Sequence, residues 1–221
     1  RRRAQLQLIS AEATRIANIV QHLLSFGRRA PPEDTLVHAD TLLADVLALV
    51  EYQMRSDNIE VLTDRSSELP PVMGDPNQLR QVFLNIVVNA RHAMPNGGRL
   101  TVRTQVGADG GAEISFTDTG CGMTSEIAQR IFDPFFTTKT GSGGSGVGLF
   151  LCRNIVRDHR GTLSVSSRPG EGSTFLVRLP AAQTQQISLG NTAVEMLHAR
   201  PLTGPDETNL AELPATAREE R

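Results

Sequence analysis

Residues Gly141 to Leu149 read GSGGSGVGL and pass without a break into an apolar-periodic segment, Val147 to Asp158, with the spacing of a helix. A glycine-rich stretch that opens a helix leaves the first amides of that helix unpaired and pointing outward, where they attract an anion. A plain Gly/Ser linker would have no reason to enter a helix at once. The segment therefore reads as a cradle for phosphate. With 22 basic and 24 acidic residues spread along 221 positions, the formal charge is −2. No overall field draws such a chain to nucleic acid or to an anionic membrane surface, so phosphate recognition has to be local.

The patterns on either side of the loop alternate between helix and strand. Leu42, Leu43, Val46, Leu49 and Val50 share one face over about residues 40–53, and Ile59 to Leu62 follow as a strand. Asp75 and Pro76 are the cap and first-turn proline of a helix whose apolar face is Leu79, Val82, Phe83, Ile86, Val87 and Ala90. The turn Asn96-Gly97-Gly98 leads to a hairpin, Leu100 to Val106 and Ala112 to Phe116, and a last hairpin joins Thr162 to Ser166 with Thr174 to Leu179. This order predicts an α/β (α+β) sandwich in which a mixed sheet is packed on helices.

Leu6, Ile9, Ala13, Ile16, Val20 and Leu23 are spaced alternately by three and four, which is the seam of a coiled-coil-like helix that a lone helix leaves unsatisfied. Gly27 and Pro31-Pro32 end it. After Pro180 the composition turns to Gln, Thr, Pro, Ala and Glu, a mobile tail or linker. The expected division is thus 1–30 helix, 31–180 globular domain and 181–221 tail. The chain starts with Arg1-Arg2-Arg3 and enters a helical pattern at once, as if cut from something longer. Cys121 and Cys152 have neither a disulfide nor a metal spacing, and no apolar run reaches the roughly 18 residues of a membrane span. A cytoplasmic piece without direct membrane contact is expected.

Four groups of residues carry chemistry. Asn85 and Asn89 stand one turn apart on the helix opened by Asp75, and an asparagine oxygen is a hard, neutral ligand suited to magnesium already shared with phosphates. Asp118-Thr119-Gly120-Cys121-Gly122-Met123 brings a carboxylate to a strand end beside two glycines; with no Lys after the glycines, the carboxylate suits a base's amino group better than a triphosphate. The same loop is also compatible with a tight turn capped by Asp. Lys139, just before the cradle, is a candidate cation for a phosphate. Phe132, Phe135 and Phe136, between the two glycine segments, are either core or a latch that docks a loop over a ligand or another domain.

Taken in order, the Asn-bearing helix, DTGCGM, FDPFFTTK, GSGGSGVGL and GEGSTF resemble the nucleotide boxes of sensor histidine kinases over about Val37 to Pro180, and FFTTK is most similar to the nitrogen-regulatory, PAS-coupled branch. The resemblance implies the GHKL-type ATPase fold shared with gyrase and mismatch-repair ATPases, with ATP and Mg2+ as ligands. It implies that Asp118 binds the adenine amino group, that Gly120 and Gly122 line the base pocket, and that Thr174 supports it. Asn89 would then coordinate magnesium and Asn85 place the phosphates, while Gly144, Ser145, Gly146, Gly148 and Leu149 wrap the triphosphate. His92, three residues after Asn89, falls where relatives carry a charged group near the phosphates. The gyrase branch has a water-activating glutamate at the Asn85 position; an amide cannot act as that base, which favours phosphotransfer over hydrolysis.

Residues 1–30, with Glu12, Arg15, Ile19, Val20, Leu23, Leu24, Phe26 and Arg28, resemble the second helix of the kinases' dimerisation and phosphoacceptor hairpin. The partners implied are a second copy through that hairpin and the receiver domain of a response regulator. No His followed by an acidic residue and Pro-Leu is present, and His22, His38, His159 and His198 belong to no constellation. The phosphoacceptor histidine is therefore expected outside these residues. A gyrase-type hydrolase and a nucleotide-sensing module that transfers nothing are the competing readings.

Overall fold

The computed structural model describes residues 35–138 and 145–182. The heptad segment before residue 31, Lys139, Gly144 and the tail beyond residue 182 lie outside the described residues.

Two helices take the faces their sequences dictate. Helix α1, Ala39–Ser56, buries Leu42, Leu43, Val46, Val50 and Met54. Helix α2, Pro76–Ala93, is opened by Asp75, whose side chain accepts from the backbone N–H groups of Asn77 and Gln78, and by Pro76 in its first turn. It buries Leu79, Val82, Phe83, Ile86, Val87 and Ala90, the six residues of the expected face. Strands β1 (Thr35–Val37), β2 (Ile59–Asp64) and β3 (Val72–Gly74) precede α2. After it come β4 (Gly98–Val106), β5 (Ala112–Asp118), the short helix α3 (Ser125–Arg130), helix α4 (Gly148–Asp158), β6 (Thr162–Arg168) and β7 (Gly172–Leu179).

Five strands form one mixed sheet in the order β2-β4-β5-β7-β6. Only β2 and β4 run parallel; parallel neighbours need a crossover, and α2 lies on it. The remaining pairs are the two hairpins and β5 against β7, all antiparallel. Helices α1, α2 and α4 cover one face, with α2 between the other two. Strand alternation sends Leu100, Val102, Ile114, Phe116, Phe175, Val177 and Leu179 into that face, where all are buried. Phe83 of α2 and Phe116 of β5 meet there with ring centroids 5.9 Å apart; each such side chain contributes about 1.5–3 kcal/mol by leaving water. The other face is polar and carries cross-strand ion pairs, Arg99–Glu60 at 2.9 Å, Arg103–Asp64 at 2.8 Å and Arg178–Glu113. Exposed pairs of this kind contribute at most about 1 kcal/mol each.

The two-layer α/β sandwich is the expected fold. Three elements go beyond the sequence expectation. β1 and β3 pair antiparallel as a separate ribbon, Thr35 opposite Gly74, and α3 is capped by Thr124. α1 supplies part of the one core.

Candidate functional site

Asn85, Asn89 and His92 fall on one ridge of α2, spaced four and three apart, beside the buried face. α4 packs against α2 with its N-terminus level with Asn85: a Cβ added to Gly148 would stand 3.9 Å from both Cγ and Nδ2 of Asn85. Val147, the residue that precedes α4, offers no side-chain cap. The amides that open α4 are thus left for an outside acceptor next to the asparagine ridge. Nδ2 of Asn85 is, among the described residues, the one buried side-chain nitrogen or oxygen without a hydrogen-bond partner. His92 is exposed in the last turn of α2.

The approach to α4 is tied down by the phenylalanine segment. Gly146 has φ +66 and sits on the backbone of Phe135 and Phe136, where any side chain would collide. The Ser145 hydroxyl accepts from the Val147 N–H at 3.4 Å, and Leu149 packs on the core. Phe132 and Phe136 pack on the core, with the guanidinium of Arg153 over the first ring and that of Arg130 over the second. Phe135 is 70% exposed and adopts φ 65. The segment therefore combines both readings: two rings are core and one is presented to solvent.

Asp118 lies beside the C-terminal end of α2, about two turns beyond Asn85. It is the last residue of β5, on the helix-covered face with Ile114 and Phe116, and only 2% exposed. Its Oδ1 accepts from the Gly120 N–H at 2.8 Å, and the Ser173 N–H also donates to the carboxylate. Burial pushes the Asp118 carboxyl above the usual aspartate range, and these backbone donors offset only part of the push. The Cys121 N–H donates to the carbonyl of Ala93 at 3.0 Å, which joins the loop after Asp118 to the end of α2.

The geometry places the other residues expected at this end as follows. Thr174 pairs with Thr117, and their hydroxyls are 3.0 Å apart on the outward face of the sheet. The residue opposite Asp118 is Ser173, which is buried and whose hydroxyl is 3.0 Å from that of Ser167. The one-residue difference matters because successive strand residues point to opposite faces. The space a side chain would take at Gly120 and Gly122 is filled by protein, the carbonyls of Ala93 and Arg168 respectively. These glycines bring backbone close to backbone.

Residues 74–183 match the family described as Histidine kinase-, DNA gyrase B-, and HSP90-like ATPase. The catalytic domain of histidine kinase ThkA superposes with a TM-score of 0.60 at 31% identity, covering 67% of this chain and 95% of that one. The chain belongs to this ATPase family, as the catalytic domain of a sensor histidine kinase. Histidine-protein kinase AtoS of Escherichia coli K12 is 35% identical over 175 residues, 79% of this chain and 28% of that protein. Sensor histidine kinase ZraS of Klebsiella oxytoca is 36% identical over 187 residues, 84% of this chain and 40% of that protein. The chain therefore spans well under half the length of these relatives. Full-length ShkA, solved with AMPPNP, aligns over 78% of this chain with a TM-score of 0.67 at 27% identity.

Within this histidine kinase domain, sequence reasoning missed three residues. Besides Ser173, they are Cys152, which is buried beside Asn85, and His159. His159 accepts from the Asp75 N–H through Nε2 at 3.0 Å and bonds the Ile155 carbonyl through Nδ1 at 2.8 Å, linking the end of α4 to the start of α2. The apolar periodicity of α4 marked Cys152 as core, but no signal paired His159 with residues more than 80 positions away. No helix of the described residues is long and apolar enough to cross a membrane.

Proposed function

We propose that the domain binds ATP with magnesium and transfers the γ-phosphate to a histidine on a helical dimerisation domain, for relay to an aspartate on a response regulator. The observation that carries this reading is the asparagine ridge of α2 set against the open N-terminus of α4, with Asp118 buried at the far end of the same helix. That spacing suits a nucleotide lying along α2, phosphates toward Asn85 and base toward Asp118.

In this reading Asp118, ionised, accepts from the adenine amino group, and the N–H groups of Gly120 and Ser173 fix its orientation. The first amides of α4, at Gly148 and Leu149, with Ser145, Gly146 and Gly144, hold the triphosphate. Lys139 and His92 contribute charge nearby, and Thr174 acts on the base site only through its strand. Among the described residues no group of three or more His, Cys, Asp or Glu is placed to hold a metal. The neutral oxygens of Asn89 and Asn85 fit a cation that arrives with phosphates and brings its charge balance with it. When bound, magnesium supplies positive charge to the phosphate oxygens. Asn85 cannot take a proton from water, so the bound phosphate is protected from hydrolysis and reserved for the imidazole nitrogen of the acceptor.

Residues 1–30 serve in this reading as the second helix of the dimerisation hairpin, 31–180 as the catalytic domain and 181–221 as a tail or linker. ThkA has been solved with the response regulator TrrA, and it aligns over 81% of this chain at 26% identity; this supports a receiver domain as partner. The wording FFTTK supports the nitrogen-regulatory branch.

The test is calorimetric titration with MgAMPPNP, followed by incubation with γ-labelled ATP and a separately made helical domain bearing a phosphoacceptor histidine. Micromolar binding and acid-labile label on the helical domain support the proposal. Binding without transfer would reduce the domain to a nucleotide sensor, and phosphate release without any acceptor would make it a hydrolase.

A further inference from the structure

The loop that leaves Asp118 is tied to the rest of the protein at several points. The Thr119 N–H donates to the Arg99 carbonyl at 3.1 Å and the Cys121 N–H to the Ala93 carbonyl at 3.0 Å. From the turn between β6 and β7, the Gly170 N–H donates to the Cys121 carbonyl at 2.8 Å. These ties join backbone to backbone, so truncating a side chain leaves them in place. The Met123 N–H differs: it donates to a side chain of β6, the Ser167 hydroxyl, at 2.8 Å.

Ser167 in turn has a full set of partners. Its own hydrogen goes to the Gly172 carbonyl at 2.8 Å, since a carbonyl can only accept. A third partner, the Ser173 hydroxyl, stands 3.0 Å away. A hydroxyl has one hydrogen and two lone pairs. With the hydrogen given to Gly172 and one lone pair taken by Met123, Ser167 meets Ser173 as an acceptor, and the Ser173 hydroxyl is the donor of that pair.

This direction matters because Ser173 is buried directly opposite Asp118 in the register of β5 and β7. Directly opposed residues of an antiparallel pair are side-chain neighbours on one face. A free serine hydroxyl in that place would turn its hydrogen to the carboxylate, because a hydrogen bond to an ionised group is stronger than a neutral one. Ser167 takes that hydrogen away.

We propose that Ser167 is a positioning residue of the base pocket: its hydroxyl ties the loop after Asp118 to the β6–β7 turn and holds the Ser173 hydrogen off the Asp118 carboxylate. The inference rests on the nucleotide reading and deepens it toward selectivity for the base. Asp118 and the Ser173 oxygen then both present lone pairs. These complement an exocyclic amino group and oppose the carbonyl oxygen that a 6-oxopurine carries in its place. Ser167 acts on the base through these neighbours.

The test uses the full chain, as wild type, Ser167→Ala, Ser167→Thr, Ser173→Ala and the double variant Ser167→Ala/Ser173→Ala. Each is titrated calorimetrically with AMPPNP and with its inosine counterpart, both with magnesium. Ser167→Ala frees the Ser173 hydrogen, so the preference for AMPPNP should fall about tenfold. Ser167→Thr, which keeps the hydroxyl, should restore it. Where Ser173→Ala has already removed that hydrogen, the further loss of Ser167 should leave the preference where Ser173→Ala alone puts it. An unchanged preference in Ser167→Ala overturns the proposal. So does a fall that persists without the Ser173 hydroxyl, which would mark a general loosening of the loop. A further measurement needs no variant: the Met123 amide of the wild type should exchange slowly with solvent, and free exchange overturns the tie even where Ser167→Ala does not fold. Failure of the wild type to bind AMPPNP would sink the nucleotide reading instead, and the exchange of Met123 would still decide the tie to Ser167.

Discussion

Asn85 stands midway along α2 and Asp118 beside its C-terminal end, and the protein treats their polar atoms in opposite ways. The Asp118 carboxylate is buried but supplied with backbone donors from Gly120 and Ser173. Nδ2 of Asn85 is also buried and has no partner. A buried polar group left unmade costs about 1–3 kcal/mol, so folds complete such groups unless something else will. The base end of the proposed site is finished in the free protein. The phosphate end keeps an open helix terminus and an orphaned amide next to one another, the arrangement of a site that a ligand completes.

The comparison is broken most directly at Asp118. Asp118→Ala should weaken MgAMPPNP binding on the order of a hundredfold, the effect of losing a hydrogen bond to a charged group at about 1.5–3 kcal/mol. It should also lower the unfolding free energy by about 1–2 kcal/mol, because two buried N–H groups lose their acceptor. Calorimetric titration and denaturant unfolding read the two effects separately. A variant that still binds at wild-type affinity would remove the base pocket from this end of α2.

His159→Ala tests whether the scaffold under the site is fixed without a ligand. The ring fills the space over Gly74 and bonds both Asp75 and Ile155; its removal should cost about 2–3 kcal/mol of stability through lost bonds and a cavity. Bound MgAMPPNP should raise the melting temperature of this variant as much as that of the wild type. A smaller rise would show that the His159 link shapes the site and does not merely hold the helices. Asn85→Ala should behave in the reverse manner to Asp118→Ala: about a tenfold loss of MgAMPPNP affinity, with stability of the free protein unchanged or raised. Equal destabilisation by the two substitutions would erase the contrast on which the reading depends.

How much of this was legible depended on whether a signal was local. The cap Asp75, the first-turn Pro76 and the six-residue apolar face placed α2 to the residue at its start, because caps and helical periods are written within a few positions. The glycine-rich run entering α4 marked the phosphate end for the same reason. β1 and β3 escaped notice because three residues carry no period, and their pairing joins Thr35 to Gly74 across 39 positions. That Ser173 and not Thr174 stands opposite Asp118 was not legible, because a strand's phase is set by its neighbour's register. The placing of Gly148 against Asn85 depends on how α2 and α4 cross, which no single segment encodes. The resemblance to sensor histidine kinases pointed to these residues, and the geometry gave their places relative to one another.

The smallest expected effect is a pH dependence that separates the two ends by titration. Asp118 is held above the ordinary aspartate range by burial, so in the free folded protein its proton is lost at higher pH than in the unfolded chain. For stability, its contribution is fully present below the unfolded value, declines as pH rises through the window up to the folded value, and is constant above. For binding, the ionised carboxylate is the acceptor, so affinity rises with pH through the raised folded value and levels off above it. Acidification through the raised value should therefore weaken nucleotide binding, by at most about tenfold per pH unit for one proton, while this residue's contribution to stability grows. The nucleotide phosphates titrate as well, so the measurement is the ratio of affinities of wild type and Asp118→Asn across pH. A ratio that falls on acidification assigns the proton to Asp118. A constant ratio would mean that the nucleotide alone titrates and that the ionised carboxylate does not set the affinity, and it would leave the orphaned amide of Asn85 and the open end of α4 as the part of the site that governs binding.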